Sequence, residues 1–208
     1  MKKDDLFYAF RQGIAQTDEE TGGNCTSVAL IKAAIDAFGL DNVFAATPTA
    51  NGHSITLKNG TTLEITNQEL KQATAGSGFV LCEDIADAEE QALYERILSY
   101  AHLCFTVIIK QAQLHGEPFN GAERTVYNNF TEAMYGVNDG LSAPTCYYFL
   151  GLEKHAQPMG WLSSTHGINA IVSWSAHHTV YACDGFYDQR GRKAKMRPKY
   201  ASRFRIVP

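Results

Sequence analysis

The sequence has few charged residues and no long apolar run, and each shortage excludes a class of protein. Only 19% of its 208 residues are charged, and 18 basic against 22 acidic side chains leave a net charge of -4. No basic surplus therefore indicates a nucleic-acid or anionic-membrane partner. The most apolar stretch, residues 97–109, is interrupted by polar side chains and is shorter than the roughly 20 residues of a membrane span. We predict no nucleic-acid partner and no membrane span.

The chain also lacks internal repeats, low-complexity tracts and any linker rich in Pro, Gly and Ser. Hydrophobic residues make up 45% of it, which is enough for one sizeable core. We therefore predict a single domain over residues 1–208. The N-terminus places two acidic residues directly after its lysines and has no apolar run of signal-peptide length. We expect a cytoplasmic protein, or one that is delivered without its own signal peptide.

The cysteines form no pattern of a disulfide scaffold or a structural zinc site. Their number is odd, they lie far apart, and none belongs to a Cys-x-x-Cys pair. Most cysteines of this kind are small buried hydrophobes, and we predict no metal and no cofactor. The five residues are Cys25, Cys82, Cys104, Cys146 and Cys183.

The order of the predicted elements, helical at first and rich in strands at the end, favours an α+β fold. Asn24 is a good N-cap and Gly39 a good C-terminal stop for an apolar helix that belongs in the core. Asn59-Gly60 is the dipeptide that a type I′ turn prefers. The predicted elements are a helix at 25–38, a hairpin at 54–66, one helix or two at 84–113, a short helix at 125–135, a loop at 136–144, and strands at 167–174, 179–183 and 203–207.

Cys25 is the cysteine whose position suggests chemistry. A thiol attacks as its thiolate, and the free amide N–H groups at the start of a helix favour negative charge. Cys25 occupies that place. The two glycines before Asn24 let the backbone turn and leave room for a substrate carbonyl.

A cysteine nucleophile needs a base, and the base needs a group that orients it. If residues 175–178 form the turn of a hairpin, the chain returns at Asp184 to the start of the strand that follows His166, which makes these two residues neighbours. His178 and Asp188 form the alternative pair, which requires a turn at Asp184-Gly185. We expect His166 as the base and Asp184 as its orienting acid.

These segments resemble the papain-like cysteine peptidases, including calpain-type enzymes and bacterial effector proteases. Gln16 and the run 22–35 resemble the family's glutamine and the Gly-x-Cys start of its central helix. Residues 166–173 and 183–191 resemble its histidine strand and the strand end with its Asn or Asp. The resemblance implies a papain-like fold, with a buried central helix carrying the Cys and a C-terminal antiparallel sheet carrying His and Asp. It also implies that Gln16, with the backbone N–H of Cys25, donates to the oxyanion.

The function that we predict is hydrolysis of a peptide or amide bond through a Cys25, His166 and Asp184 triad, with a protein or peptide as substrate. The same constellation supports transglutaminase, deamidase and peptidoglycan amidase chemistry. A non-catalytic binding module is a second alternative, because no Asn-x-Trp motif follows the histidine. A zinc enzyme that uses His177 and His178 is disfavoured, since adjacent residues of a strand point to opposite faces.

Overall fold

The computed structural model describes residues 1–2, 4–13, 23–82, 85, 87–117 and 125–208. These residues form a mixed α+β fold with a central helix, which confirms the predicted class. The helices are α1 Asp5–Tyr8, α2 Cys25–Phe38, α3 Asn67–Gly76, α4 Ala88–His115, α5 Phe130–Asp139 and a 3₁₀ helix at Ala143–Leu150.

The strands of the described residues are β1 Arg11–Gln12, β2 Ala45–Thr49, β3 Gly52–Thr56, β4 Thr62–Thr66, β5 Phe79–Val80, β6 Ala156–Met159, β7 Ile171–Trp174, β8 Thr179–Cys183, β9 Phe186–Asp188, β10 Lys193–Lys195 and β11 Ser202–Ile206. They form three antiparallel sheets. The largest has six strands in the order β10-β9-β8-β7-β11-β6, a second has the order β2-β3-β4, and the third pairs β1 with β5.

Helix α2 is buried between the six-stranded sheet and α4. It matches its prediction, and every residue from Thr26 to Ile35 is buried. Gly39 ends the helix with a φ of 88°, a conformation that glycine adopts without strain. Asn24 precedes the helix, but its side chain does not cap it. The Asn24 amide donates instead to the Ser77 carbonyl at 2.7 Å and to Asn138 at 2.9 Å.

Helix α4 is continuous, so one helix rather than two covers this region. By length and composition it is the one helix among the described residues that could cross a membrane, and 56% of its most apolar window is buried inside the molecule. Its apolar residues, including Ile97, Cys104 and Ile108, are packed in the main core. Packing in the core therefore accounts for the apolar composition of α4.

Several predicted boundaries differ from the observed ones. The predicted hairpin is confirmed as β3 and β4, but the predicted turn type is wrong. Gly60 N–H donates to the Leu57 carbonyl, and Leu57 N–H donates to the Thr61 carbonyl. The two strands are therefore joined by a three-residue loop rather than by a type I′ turn. The helix predicted at 125–135 begins at Phe130 and runs to Asp139. The 3₁₀ helix, with a proline in its first turn, begins within the loop predicted at 136–144. Helices α1 and α3 and strands β1, β2, β5, β6, β9 and β10 were not predicted from the sequence.

Candidate active site

Cys25 is the first residue of α2 and is half-buried. One pocket is lined by Cys25 together with Gln12, His178, Asp188 and Arg190. The hydroxyls of Thr26 and Thr179 are 2.9 Å apart, a contact that joins the start of α2 to the start of β8. This contact fixes the N-terminal end of α2 beside the first residue of β8 and the turn that precedes it.

Gln12 reaches this pocket from β1, which pairs with β5. Its amide group packs directly against Gly23, and a side chain at Gly23 would collide with it. In this conformation a Cβ at position 23 would displace the end of the Gln12 side chain. Gln16, which the family resemblance implied as the oxyanion donor, lies outside the described residues.

The backbone N–H of Cys25 does not point freely into the pocket. It donates to the Gly23 carbonyl at 2.8 Å, which corrects the expectation that it is available as an oxyanion donor in this conformation. The side-chain amide of Gln12 lines the same pocket and is a hydrogen-bond donor there. Gln12 is farther from Cys25 along the sequence than Gln16, so spacing alone does not point to it.

The two turns that distinguished the alternative histidine pairs are both present. Ser175 N–H donates to the His178 carbonyl at 2.9 Å in the turn between β7 and β8. Asp184 and Gly185 form a second tight turn between β8 and β9, with φ angles of 50° and 81°. Strands β7 to β10 are therefore a meander, and each end of β8 carries one histidine and one aspartate.

His166 and Asp184 are neighbours, as the hairpin register predicts. The His166 ring packs against Gly185, and an Asp184 carboxylate oxygen accepts from Gly167 N–H at 2.6 Å. The structure does not bring this pair to Cys25, however. Cys25 lies at the Thr179 end of β8 and His166 beyond the Cys183 end, and the four-residue rise between those ends is about 13 Å. This corrects the assignment of His166 as base and Asp184 as its orienting acid.

His178 and Asp188 are the pair that lines the Cys25 pocket. Burial lowers the pKa of the half-buried His178, the cations of Arg190 and Lys199 lower it further, and the carboxylate of Asp188 opposes them. A neutral imidazole at physiological pH follows, which is the form that accepts a proton.

Asp188 is buried and firmly held. One carboxylate oxygen accepts from Lys32 Nζ at 2.6 Å and the other from Gly191 N–H at 2.7 Å. It acts on His178 through its charge, and no hydrogen bond joins the two side chains among the contacts that the structure describes. The observed orientation is therefore one in which electrostatics, rather than a direct bond, couples the acid to the histidine.

Two of the other cysteines, Cys104 and Cys146, belong to the core. Cys104 and Cys146 are completely buried, and that burial raises the pKa of both thiols. His177 is exposed beside the pocket. Across the described residues, no group of three His, Cys, Asp or Glu side chains could hold a metal ion.

Comparisons with known protein families, with curated proteins and with solved structures found no match. The chemistry of the site therefore rests on its own residues and their geometry.

Proposed function

We propose that this chain is a thiol hydrolase of papain-like fold that cleaves a peptide or amide bond with Cys25, His178, Asp188 and Gln12. The observation that carries the proposal is the single pocket that these four residues line. They come from the start of α2, the turn before β8, the end of β9 and strand β1. Four distant segments converge there on the residue types of one known chemistry: a nucleophile, a base, an acid and an amide donor.

The roles follow from the positions of the side chains. His178, being neutral, takes the thiol proton of Cys25, and the sulfur attacks the substrate carbonyl carbon. The amide of Gln12 donates to the oxygen that becomes negative. His178 then returns its proton to the leaving amine, and a thioester to Cys25 remains. Water, deprotonated by His178, hydrolyses that thioester and restores the thiol.

Two features support the proposed papain-like fold: the packing of a helix against a sheet, and the order of these elements along the chain. A buried helix starts with the cysteine, and an antiparallel sheet later in the chain carries the histidine and the aspartate. Transglutaminase, deamidase and amidase chemistry use the same elements and differ in what attacks the thioester and in the acyl donor. Hydrolysis needs only water as the second reactant.

A non-catalytic binding module is the second candidate. It is favoured by the occupied hydrogen bonds of the pocket: both Asp188 oxygens have partners other than His178, and the Cys25 N–H is bonded to Gly23. In an enzyme these contacts would rearrange when substrate binds, because catalytic hydrogen bonds tighten in the substrate complex.

Selective alkylation and turnover together test the proposal. Cys25 and Cys82 are half-buried and the other three cysteines are buried, so Cys82 is the matched control. We expect iodoacetamide to label Cys25 at least about tenfold faster than Cys82, because Cys25 starts a helix and shares its pocket with the His178 imidazole. In a peptide-library cleavage assay, Cys25→Ala should abolish turnover with an unchanged circular dichroism spectrum, whereas Cys82→Ala should retain it.

Two results would count against the enzyme. Equal labelling of Cys25 and Cys82 would mean that the sulfur is not activated. Unchanged cleavage by Cys25→Ala would remove it as the nucleophile altogether.

A further inference from the structure

Positive charge is concentrated in the last part of a chain that is acidic overall. Residues 189–208 contain eight of the 18 Lys and Arg residues and no Asp or Glu, although the whole chain has a net charge of -4. This segment includes β10 and β11 and the connection between them. The connection passes directly beside the candidate active site, because Tyr200 lies next to His178, with their ring centroids 6.5 Å apart.

A groove leads away from that point. Its lining includes the buried Tyr200 together with Met196, Arg197 and Arg203. Trp161 and Leu162, which are 72% and 79% exposed, also line it, and the Arg203 guanidinium donates to the Trp161 carbonyl at 2.9 Å. We call this surface the basic groove.

The Cys25 pocket and the basic groove adjoin each other at Tyr200. Burial raises the pKa of Tyr200. The nearby cations of Arg197 and Arg190 lower this pKa, and Cys25 raises it. Cys25 and Arg190 line the pocket, whereas Arg197 lines the groove. A chain that occupied the pocket could therefore continue over Tyr200 into the groove.

The cations at this junction are not neutralised. Lys199 Nζ lies 5.1 Å from the centre of the Tyr200 ring, and Arg197 lies 5.9 Å from that of Tyr187. Within the described ranges neither one, nor Arg190, forms an ion pair. The nearby Asp188 is already paired with Lys32. Aromatic contacts hold the two cations in place and leave their charges for a ligand.

We propose that the basic groove binds an acidic segment of the polypeptide substrate, adjacent to the bond that Cys25 attacks. This inference rests on the proposed hydrolase function. The combination of arginine with the exposed side chains of Trp161 and Leu162 favours a polypeptide over a nucleic acid. Peptide side chains supply carboxylates that pair with the guanidinium groups, and they also supply apolar groups that pack against Trp161 and Leu162. The groove thereby selects substrates with Asp or Glu beside an apolar residue.

Binding to Cys25→Ala protein tests the groove separately from turnover. The probes are three fluorescein-labelled peptide pools of equal length and apolar content, one rich in Asp and Glu, one in Asn and Gln, and one in Lys and Arg. We expect the acidic pool to bind at least about fivefold more tightly than the amide pool, with a preference that weakens at high salt.

Matched double variants locate the binding surface. Arg197→Gln with Lys199→Gln should weaken binding of the acidic pool about three- to tenfold. Lys58→Gln with Arg96→Gln removes the same charge at the opposite end of α2, where Lys58 lies over Phe38 and Arg96 pairs with Asp41. That control should leave binding unchanged.

Equal binding of the three pools, or equal effects of the two double variants, would overturn the proposal. Tighter binding of a single-stranded oligonucleotide than of the acidic pool would overturn it in favour of nucleic acid. Cleavage of all pools at equal rates by the parent protein would also refute the groove while sparing the hydrolase. Selective binding of the acidic pool without cleavage by the parent would support the groove and refute the hydrolase.

Discussion

Lys32 and Asp188 form a buried ion pair two helical turns below Cys25. Lys32 is completely buried and Asp188 is 7% exposed, and 2.6 Å separates the ammonium nitrogen from the carboxylate oxygen. Lys32 Nζ also lies 4.8 Å from the centre of the Phe10 ring. The pair ties α2 to the end of β9, so the helix that begins with Cys25 also fixes the Asp188 carboxylate in the pocket that His178 lines.

Breaking this pair should be costly. Lys32→Met leaves a buried carboxylate without its counter-ion, and we expect the free energy of unfolding to fall by about 3 to 5 kcal/mol. Removal of both charges in Lys32→Met with Asp188→Asn should recover most of that loss, yet turnover should stay about tenfold or more below the parent because His178 has lost its anion. Urea unfolding and peptide cleavage measure the two effects.

Arg96→Met is the control, because its partner Asp41 lies on the surface and exposed pairs contribute less than about 1 kcal/mol. A double variant with parental turnover would show that Asp188 is structural only. A stable Lys32→Met protein would show that the pair is dispensable.

The histidine assignment gives a second prediction. His178→Ala should reduce kcat/KM by about 10²-fold or more, because it removes the base from the Cys25 pocket. His166→Ala should reduce it by less than about threefold, since His166 is exposed at the other end of β8. Both rates come from one cleavage assay, and the reverse ranking would restore His166 as the base.

The sequence predicted the helices and strands better than it predicted which side chains meet Cys25 in one pocket. Helix α2 was predictable because apolar residues cover most of its circumference and Gly39 stops it. Strand β8 was predictable because it begins with β-branched and aromatic residues. The choice between His166 and His178 depended on which end of β8 faces α2. That orientation is set by long-range contacts such as Thr26 with Thr179, which no local pattern contains.

Gln12 and Lys32 illustrate the same limit. The local sequence pattern places Lys32 and Asp36 on one polar stripe of α2, whereas tertiary packing buries Lys32 against Asp188. Gln12 belongs to a two-residue strand that exists only because β5 pairs with it. The glycines before Cys25 predicted free space there, and the structure fills part of that space with the Gln12 amide.

The electrostatics of His178 predict a pH dependence. Burial and the cations of Arg190 and Lys199 lower its pKa, so the neutral base should persist at pH values below the ordinary histidine range. Turnover should fall when acid finally protonates the ring. Arg190→Gln removes a cation that disfavours the protonated form, and it should therefore raise the pKa of His178 and move the acid limb of kcat/KM to higher pH.

NMR titration of the His178 ring and a pH–rate profile measure this shift, with Arg96→Gln as a remote control. Removal of the Asp188 charge in the double variant should move the pKa in the opposite direction, because that carboxylate raises it. An unchanged acid limb in Arg190→Gln, beside a shifted NMR titration, would mean that His178 is not the group that limits turnover.

Gln12 gives the last prediction. If its amide donates to the oxyanion, the bond strengthens as charge develops on the carbonyl oxygen, so Gln12→Ala should lower kcat by about 10²- to 10³-fold and change KM little. The packing of Gln12 against Gly23 raises the question of a structural role, which Gln12→Leu addresses by keeping the volume without the donor. Both variants should lose turnover alike while retaining the parental midpoint of thermal unfolding. Gln16→Ala should leave kcat near the parent value. A crippled Gln16→Ala beside an active Gln12→Ala would instead return the oxyanion role to the residue that the family resemblance implies.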